Sequence, residues 1–168
     1  MSRVGVLPGS FDPPTVAHLA IAEAARDQCR LDRLDLVVSR VPLGKYHAAQ
    51  TPVEDRVSLL EQLAAGRPWL GVAVTDARLL ADVAAGYDVL VVGADKWAQL
   101  HDPSWYGGST DERDAALARL PEVAVAPRAG FPLPEGVHAL DVDPAHHHVS
   151  STAVRAGRHD WRADRTSG

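Results

Sequence analysis

Short apolar runs that alternate with stretches of helical spacing are what most restrict the fold of this 168-residue chain. The first run, residues 4–7, ends at once in Pro8, Gly9 and Ser10, and a run closed by turn residues predicts a buried parallel strand. Residues 16–29 then place Leu19, Ile21, Ala22 and Ala25 at helical intervals, so the chain opens as strand, turn and helix. The same alternation predicts strands at 34–41, 70–74, 89–92 and 122–126, with helices at 53–65, 76–84, 96–101 and 111–120 between them. The run 89–92 is wholly apolar and therefore central. Residues 127–136 read as a Pro- and Gly-rich loop, and 137–140 as an edge strand. Strands alternating with helices predict an α/β fold: a Rossmann-like parallel sheet of about five strands covered on both faces.

The length suits one domain, taken as residues 1–160 followed by a short tail, 161–168. With 17 Lys and Arg against 22 Asp and Glu, the net charge is −5, so neither nucleic acid nor an anionic membrane is an expected partner. Cys29 is the single cysteine, with no disulfide partner and no second thiol for zinc, and its place in a helical stretch marks it as a small packed residue. No apolar run approaches the ~20 residues that span a bilayer, and no signal peptide opens the chain, so a reducing cytoplasm is the expected setting. The sequence contains no Gly-x-Ser-x-Gly elbow, Walker A loop or Gly-x-Gly-x-x-Gly.

In open parallel sheets ligands bind beyond the carboxyl ends of the strands. Residues 9–18, 93–96 and the loop after 140 all fall there. In the first of these, Gly9 permits a tight turn, the following helix aims free N–H groups at the same space, and His18 lies one turn into that helix. This segment, Gly-Ser-Phe-Asp-Pro-Pro-Thr-Val-Ala-His, resembles the Gly-x-Phe-Asp-Pro-x-His-x-Gly-His motif of nucleotidyltransferases of the nicotinate-nucleotide and phosphopantetheine adenylyltransferase type. Gly9, Phe11, Asp12, Pro13 and His18 match it in order and spacing. Near the other end, Val149-Ser150-Ser151-Thr152-Ala153-Val154-Arg155 is similar to the family's Ile-Ser-Ser-Thr-x-x-Arg. Between them the chain resembles the family at Val41-Pro42-Leu43-Gly44-Lys45, at Asp55-Arg56, at Gly93-Ala94-Asp95, at Ser104-Trp105-Tyr106 and at residues 123–130. The Trp-bearing segment is similar to the nicotinate-nucleotide branch.

The resemblance implies transfer of AMP from ATP to a small phosphorylated acceptor, a nicotinate or nicotinamide mononucleotide first, with release of pyrophosphate and with Mg²⁺ travelling on the ATP. It places Gly9, Ser10, Phe11, Asp12, His18, Gly93, Asp95, Ser150, Ser151, Thr152 and Arg155 at the nucleotide. It places Lys45, Trp105 and Asp95 at the acceptor, and His18, Lys45, Arg155 and Thr15 at the chemistry, with no metal ligands from the protein. A homo-oligomer is left open. Asp95 fits two roles, a contact to ribose or acceptor hydroxyls or an N-cap for the helix at 96–101; Trp105 fits acceptor stacking or packing.

Four departures bear on activity. Thr15 stands where the family's first motif histidine falls and Ala17 where its glycine falls; Leu43-Gly44-Lys45 replaces Pro-His-Lys. Residues 76–87 are too few for the Tyr-Thr-x-Asp-Thr stretch of the nicotinate-nucleotide branch, and the chain ends soon after Arg155. A catalytically weakened nucleotide-binding relative, or a transferase using CTP or another acceptor, is therefore the alternative. His146, His147 and His148 form either a polar loop or a source of one imidazole that enters the phosphate site in place of the missing histidine.

Overall fold

The computed structural model describes residues 2–40 and 51–163. Its strands are Val4–Gly9 (β1), Arg33–Ser39 (β2), Leu70–Thr75 (β3), Val89–Gly93 (β4), Glu122–Ala126 (β5) and His138–Ala139 (β6). They form one sheet in the order β3-β2-β1-β4-β5-β6, with every neighbouring pair parallel. The helices are Val16–Gln28 (α1), Val53–Ala64 (α2), Leu80–Val83 (α3), Ala94–His101 (α4), Thr110–Ala118 (α5) and Ser151–Arg155 (α6). The architecture is the Rossmann-like α/β sheet that the alternation predicts.

Both faces of β4 are buried, which is why it reads as an unbroken apolar run. Val89 and Val91 join Ala22 and Ala25 of α1 and Leu60 of α2 in one core. Leu90 and Val92 join Val83 of α3 and Ala94 and Leu100 of α4 in the other. Successive side chains of a strand point to opposite faces, so two cores share one strand. Complete burial of each such side chain contributes about 1.5–3 kcal/mol. Cys29 is a packed member of the first core, 5% exposed.

Four expectations need correction. Six strands are present among the described residues, against about five expected: the edge strand expected at 137–140 forms as β6, shortened to two residues that pair with β5 through Ala124–His138 and Val125–Ala139. The helix expected at 76–84 contracts to α3, and Val83 and Ala84 at its end pack into the second core. The helix expected from residue 96 begins at Ala94, so the N-cap is Gly93 and Asp95 lies in the first turn. The second strand ends at Ser39; residue 41 lies outside the described residues. Among the described residues no helix is long and apolar enough to cross a membrane.

Register aligns the strand ends. Gly9 lies opposite Val38, and Gly93 opposite Ala126. The chain proceeds from β1 to one side, through β2 and β3, and returns to β4 on the other. The carboxyl ends of β1 and β4 therefore flank the point where strand order reverses, which opens a crevice between them.

Candidate active site

A cleft of about 170 Å³ occupies that crevice. Gly9, Ser10, Thr15 and His18 line it from the β1–α1 side, Gly93 and Asp95 from the β4–α4 side, and Ser150, Ser151 and Thr152 from α6. Two motifs from opposite ends of the sequence thus meet across one cavity.

The turn after β1 is built around Phe11. Its side chain is 1% exposed and its backbone adopts φ 49°, a left-handed conformation that costs a non-glycine residue of order 1 kcal/mol or more. Gly9 makes the fold-under possible, since a Cβ there would meet the Phe11 ring at 3.1 and 3.2 Å. The carbonyls of this turn are held by distant groups. Arg56 Nη1 donates to Ser10 O at 2.8 Å, Arg155 Nη1 donates to Asp12 O, Ser151 Oγ donates to Pro13 O at 2.7 Å, and Ala163 N donates to Pro14 O at 3.0 Å. The Asp12 carboxylate, 5% exposed, accepts from Thr51 N at 3.1 Å. Phe11 and Asp12 therefore shape the turn from beneath and do not line the cleft.

Thr15 and His18 form a capping box at the start of α1. His18 Nδ1 accepts from Thr15 N at 2.9 Å, and Thr15 Oγ1 accepts from His18 N at 3.4 Å. Thr15 is 1% exposed, and its hydroxyl is engaged in this cap, 3.1 Å from His18 Nδ1. With Nδ1 accepting, the imidazole proton resides on Nε2, which makes Nε2–H the ring's donor. The Phe11 ring meets the imidazole edge-on at 4.7 Å. Burial, and then the nearby Arg128 guanidinium, push the His18 pKa down to about 4. At neutral pH His18 is an uncharged donor.

That shift couples to stability. The unfolded imidazole takes up a proton below its ordinary pKa of 6.5, whereas the folded one does so only near 4. The folded state therefore holds its full contribution above 6.5 and loses it as pH falls toward 4, by up to about 3 kcal/mol. Denaturant melts across this range should show the loss in the wild type and a smaller one in His18→Asn. Equal pH slopes in the two proteins would rule out His18 as the source.

Across the cleft, Gly93 lacks a Cβ where one would meet Asp95 Oδ1 at 2.6 Å, so the carboxylate folds back over the start of α4. Asp95 Oδ2 lies 3.6 Å from Arg128 Nε, and Arg128 Nη1 also donates to Val149 O at 3.5 Å. Ser150, not Ser151 or Thr152, caps α6 by accepting from Ala153 N at 3.0 Å. Arg155 is exposed and does not line the cleft; Nη2 donates to Thr152 Oγ1 at 3.2 Å while Nη1 holds Asp12 O. Trp105, 37% exposed, sits in the 3-10 turn Pro103–Tyr106 and lines an adjoining recess with Arg78, Gln99 and Tyr106. Leu80 and Lys96 border both cavities and join them. Lys45 and the segment around it lie outside the described residues.

His146 and His147 line the cleft and His148 is exposed. Nε2 of His147 is 2.9 Å from Val142 O, which commits that ring to the loop. Other lining residues were not singled out by the sequence as site residues: Arg128, Ser39 and Lys96. Arg56 was not singled out either, although its position carried a signal. It falls in the apolar stripe of α2 with Val53, Val57 and Leu60, where a cation must be buried and bonded. Among the described residues no group of three or more His, Cys, Asp or Glu could hold a metal ion.

The model of the cytidylyltransferase-like family matches residues 6–157. A probable nicotinate-nucleotide adenylyltransferase of Geobacillus kaustophilus is 27% identical over 92% of this chain and 74% of its own length. A protein of the same description from Geobacillus thermodenitrificans is 25% identical over the same shares. One from Gloeobacter violaceus is 37% identical over 45% of this chain and 37% of its own length.

Proposed function

This chain belongs to the cytidylyltransferase-like family, and from that premise we propose that it transfers AMP from ATP to a small phosphorylated acceptor, nicotinate mononucleotide first. Nucleotidyl transfer in the broad sense follows from the family and from the relatives' descriptions. The observation that carries the finer reading is the single cleft in which residues 9–18 and 150–152 meet beside a second recess bearing Trp105.

In this reading an acceptor phosphate oxygen attacks the α-phosphorus of ATP. The new P–O bond forms as the bond to the β-phosphate oxygen breaks, and pyrophosphate leaves with that electron pair. No protein nucleophile takes part, so the residues act by positioning and by stabilising charge on phosphate oxygens. Neutral His18 donates Nε2–H to the α-phosphate, and Arg128 supplies positive charge beside it. Ser150, Ser151 and Thr152 present backbone N–H groups toward the β- and γ-phosphates. Arg155 and Ser151 hold the β1–α1 turn through its carbonyls, and Lys45 supplies a mobile cation. Mg²⁺ arriving with the triphosphate would supply neutralisation of its charge. Trp105 stacks on the pyridine ring of the acceptor, with Arg78 and Lys96 bordering the recess to favour a carboxylate over an amide.

The test is pyrophosphate release with four nucleoside triphosphates against nicotinate mononucleotide, nicotinamide mononucleotide and simple alcohol phosphates. ATP with nicotinate mononucleotide should give the highest kcat/KM. Trp105→Ala should raise acceptor KM by about 2- to 10-fold, the worth of an aromatic contact of ~0.5–1.5 kcal/mol. Turnover with CTP alone, or with an alcohol phosphate alone, would leave the transfer chemistry but replace this nucleotide or acceptor. ATP binding without turnover would make the chain a non-catalytic relative.

A further inference from the structure

Three consecutive carbonyls of the β1–α1 turn are taken by one stretch of chain from the far end of the sequence. Arg155 Nη1 donates to Asp12 O, Ser151 Oγ to Pro13 O at 2.7 Å, and Ala163 N to Pro14 O at 3.0 Å. Pro13 and Pro14 carry no N–H, so the turn offers only carbonyls by which its backbone can be tied there. The first two donors are side chains of α6. The third is a backbone amide beyond that helix, in a residue that does not line the cleft. The chain leaves α6, turns at Gly157 with φ 128°, forms the 3-10 turn His159–Trp161, and pairs Arg162 with Thr15 as an isolated antiparallel bridge. Ala163 is 9% exposed, and Pro14 and Thr15 are buried.

The Pro14 carbonyl and the Thr15 N–H are the two ends of one peptide group. That group is planar, so its carbonyl cannot be aimed without aiming its N–H. The N–H donates to His18 Nδ1 at 2.9 Å. A continuous path of hydrogen bonds therefore runs from the Ala163 amide, through this peptide, to the imidazole. Bonds in such a series polarise one another: a carbonyl that accepts makes the N–H of its own peptide a stronger donor. His18 Nδ1 is thereby kept as an acceptor, and the neutral ring keeps its proton on Nε2.

We propose that Ala163 is a positioning residue for His18: its backbone N–H, acting through the Pro14–Thr15 peptide, holds the imidazole with Nε2–H ready to donate. This rests on the transfer reading above, which supplies the phosphate oxygen that Nε2–H meets. Arg162 contributes by pairing the segment with Thr15, which brings the Ala163 amide to the Pro14 carbonyl.

The role belongs to a backbone amide, so the variant that deletes it is Ala163→Pro, which removes the N–H. Arg162 has φ −69° and ψ 135°, a conformation that a residue before proline adopts without clash. Ala163→Pro should lower kcat about 2- to 10-fold, the worth of one neutral hydrogen bond, with the Kd of α,β-methylene-ATP unchanged. Ala163→Gly keeps the N–H and should retain the wild-type kcat. In a His18→Asn background, Ala163→Pro should lower kcat no further, because the Nε2–H that it positions is gone. By NMR, His18 should pass from the Nε2–H tautomer alone to a mixture of the two. A wild-type kcat in Ala163→Pro would overturn the inference while leaving the transfer reading in place. So would an equal fall in the wild-type and His18→Asn backgrounds, which would make the segment a general support of the fold. If Ala163→Pro does not fold, the wild type carries the test through NMR couplings across the two hydrogen bonds, Ala163 N to the Pro14 carbonyl and Thr15 N to His18 Nδ1. Absence of either coupling in the folded protein would overturn the inference. A wild type that releases no pyrophosphate with any acceptor would overturn the transfer reading and this inference with it.

Discussion

His18→Asn should lower kcat for pyrophosphate release by about 10²–10³, with a nearly unchanged melting temperature. Asparagine places an amide close to the position of Nδ1, so it can keep the bond from Thr15 N that closes the capping box. It has nothing at the position of Nε2. The variant therefore separates the two duties of the imidazole, capping α1 and donating into the cleft. Loss of a preorganised donor to phosphate charge is worth ~10²–10³ in rate. His18→Ala should show the same loss together with about 1 kcal/mol of destabilisation from the broken cap. Because the His18 pKa lies near 4, the kcat–pH profile of the wild type should not fall as pH drops from 7 to 6 on account of this residue. A kcat within a few-fold of wild type in His18→Asn would remove His18 from the chemistry.

Arg56→Met should cost about 2–4 kcal/mol of stability and lower the melting temperature by roughly 5–15 °C. The guanidinium is 2% exposed and serves two carbonyls, Ser10 O through Nη1 and Thr51 O through Nε, each at 2.8 Å. Methionine fills much of the volume but leaves both part-buried carbonyls without their donor, at about 1–3 kcal/mol each. Against a total stability of ~5–15 kcal/mol this is a large share. Arg56→Lys should fall between, since an ammonium does not reproduce the planar fork that reaches two carbonyls. Because Ser10 belongs to the turn that lines the cleft, both variants should also weaken ATP binding under conditions where they remain folded. Thermal denaturation by circular dichroism, with and without ATP, measures both effects. A melting temperature within 1–2 °C of wild type in Arg56→Met would mean that the turn holds itself.

The strand–turn–helix units were legible in the sequence because their causes are local. Val89, Leu90, Val91 and Val92 announce a strand buried on both faces, and Pro8, Gly9 and Ser10 announce the end of β1 to within two residues, since the strand continues past Leu7 to Gly9. The capping box of Thr15 and His18 was not read from the sequence, although its two bonds join residues only three apart. Residues 9–18 could be marked as a site segment from a turn that leads into a helix, whereas 150–155 were marked by their resemblance to the Ile-Ser-Ser-Thr-x-x-Arg motif.

Which of those residues face the cleft was decided by contacts between distant parts of the chain. Arg155 looks like a phosphate ligand in sequence, but its guanidinium holds the carbonyl of Asp12, 143 residues away. Asp95 fits a hydroxyl contact or a cap in sequence, but a helix that starts two residues earlier removes it from the cap position and places it beside Arg128. Trp105 belongs to an adjoining recess because the 3-10 turn Pro103–Tyr106 folds it over α4 and not over the main crevice. Arg56 gains its meaning only from burial, and burial belongs to the packed sheet and not to any short segment. Periodicity and turn chemistry act over a few residues and so can be read along the chain. The pairing of a buried donor with its acceptor is settled by whichever element the closing core brings within 3 Å, and only the tertiary structure supplies that.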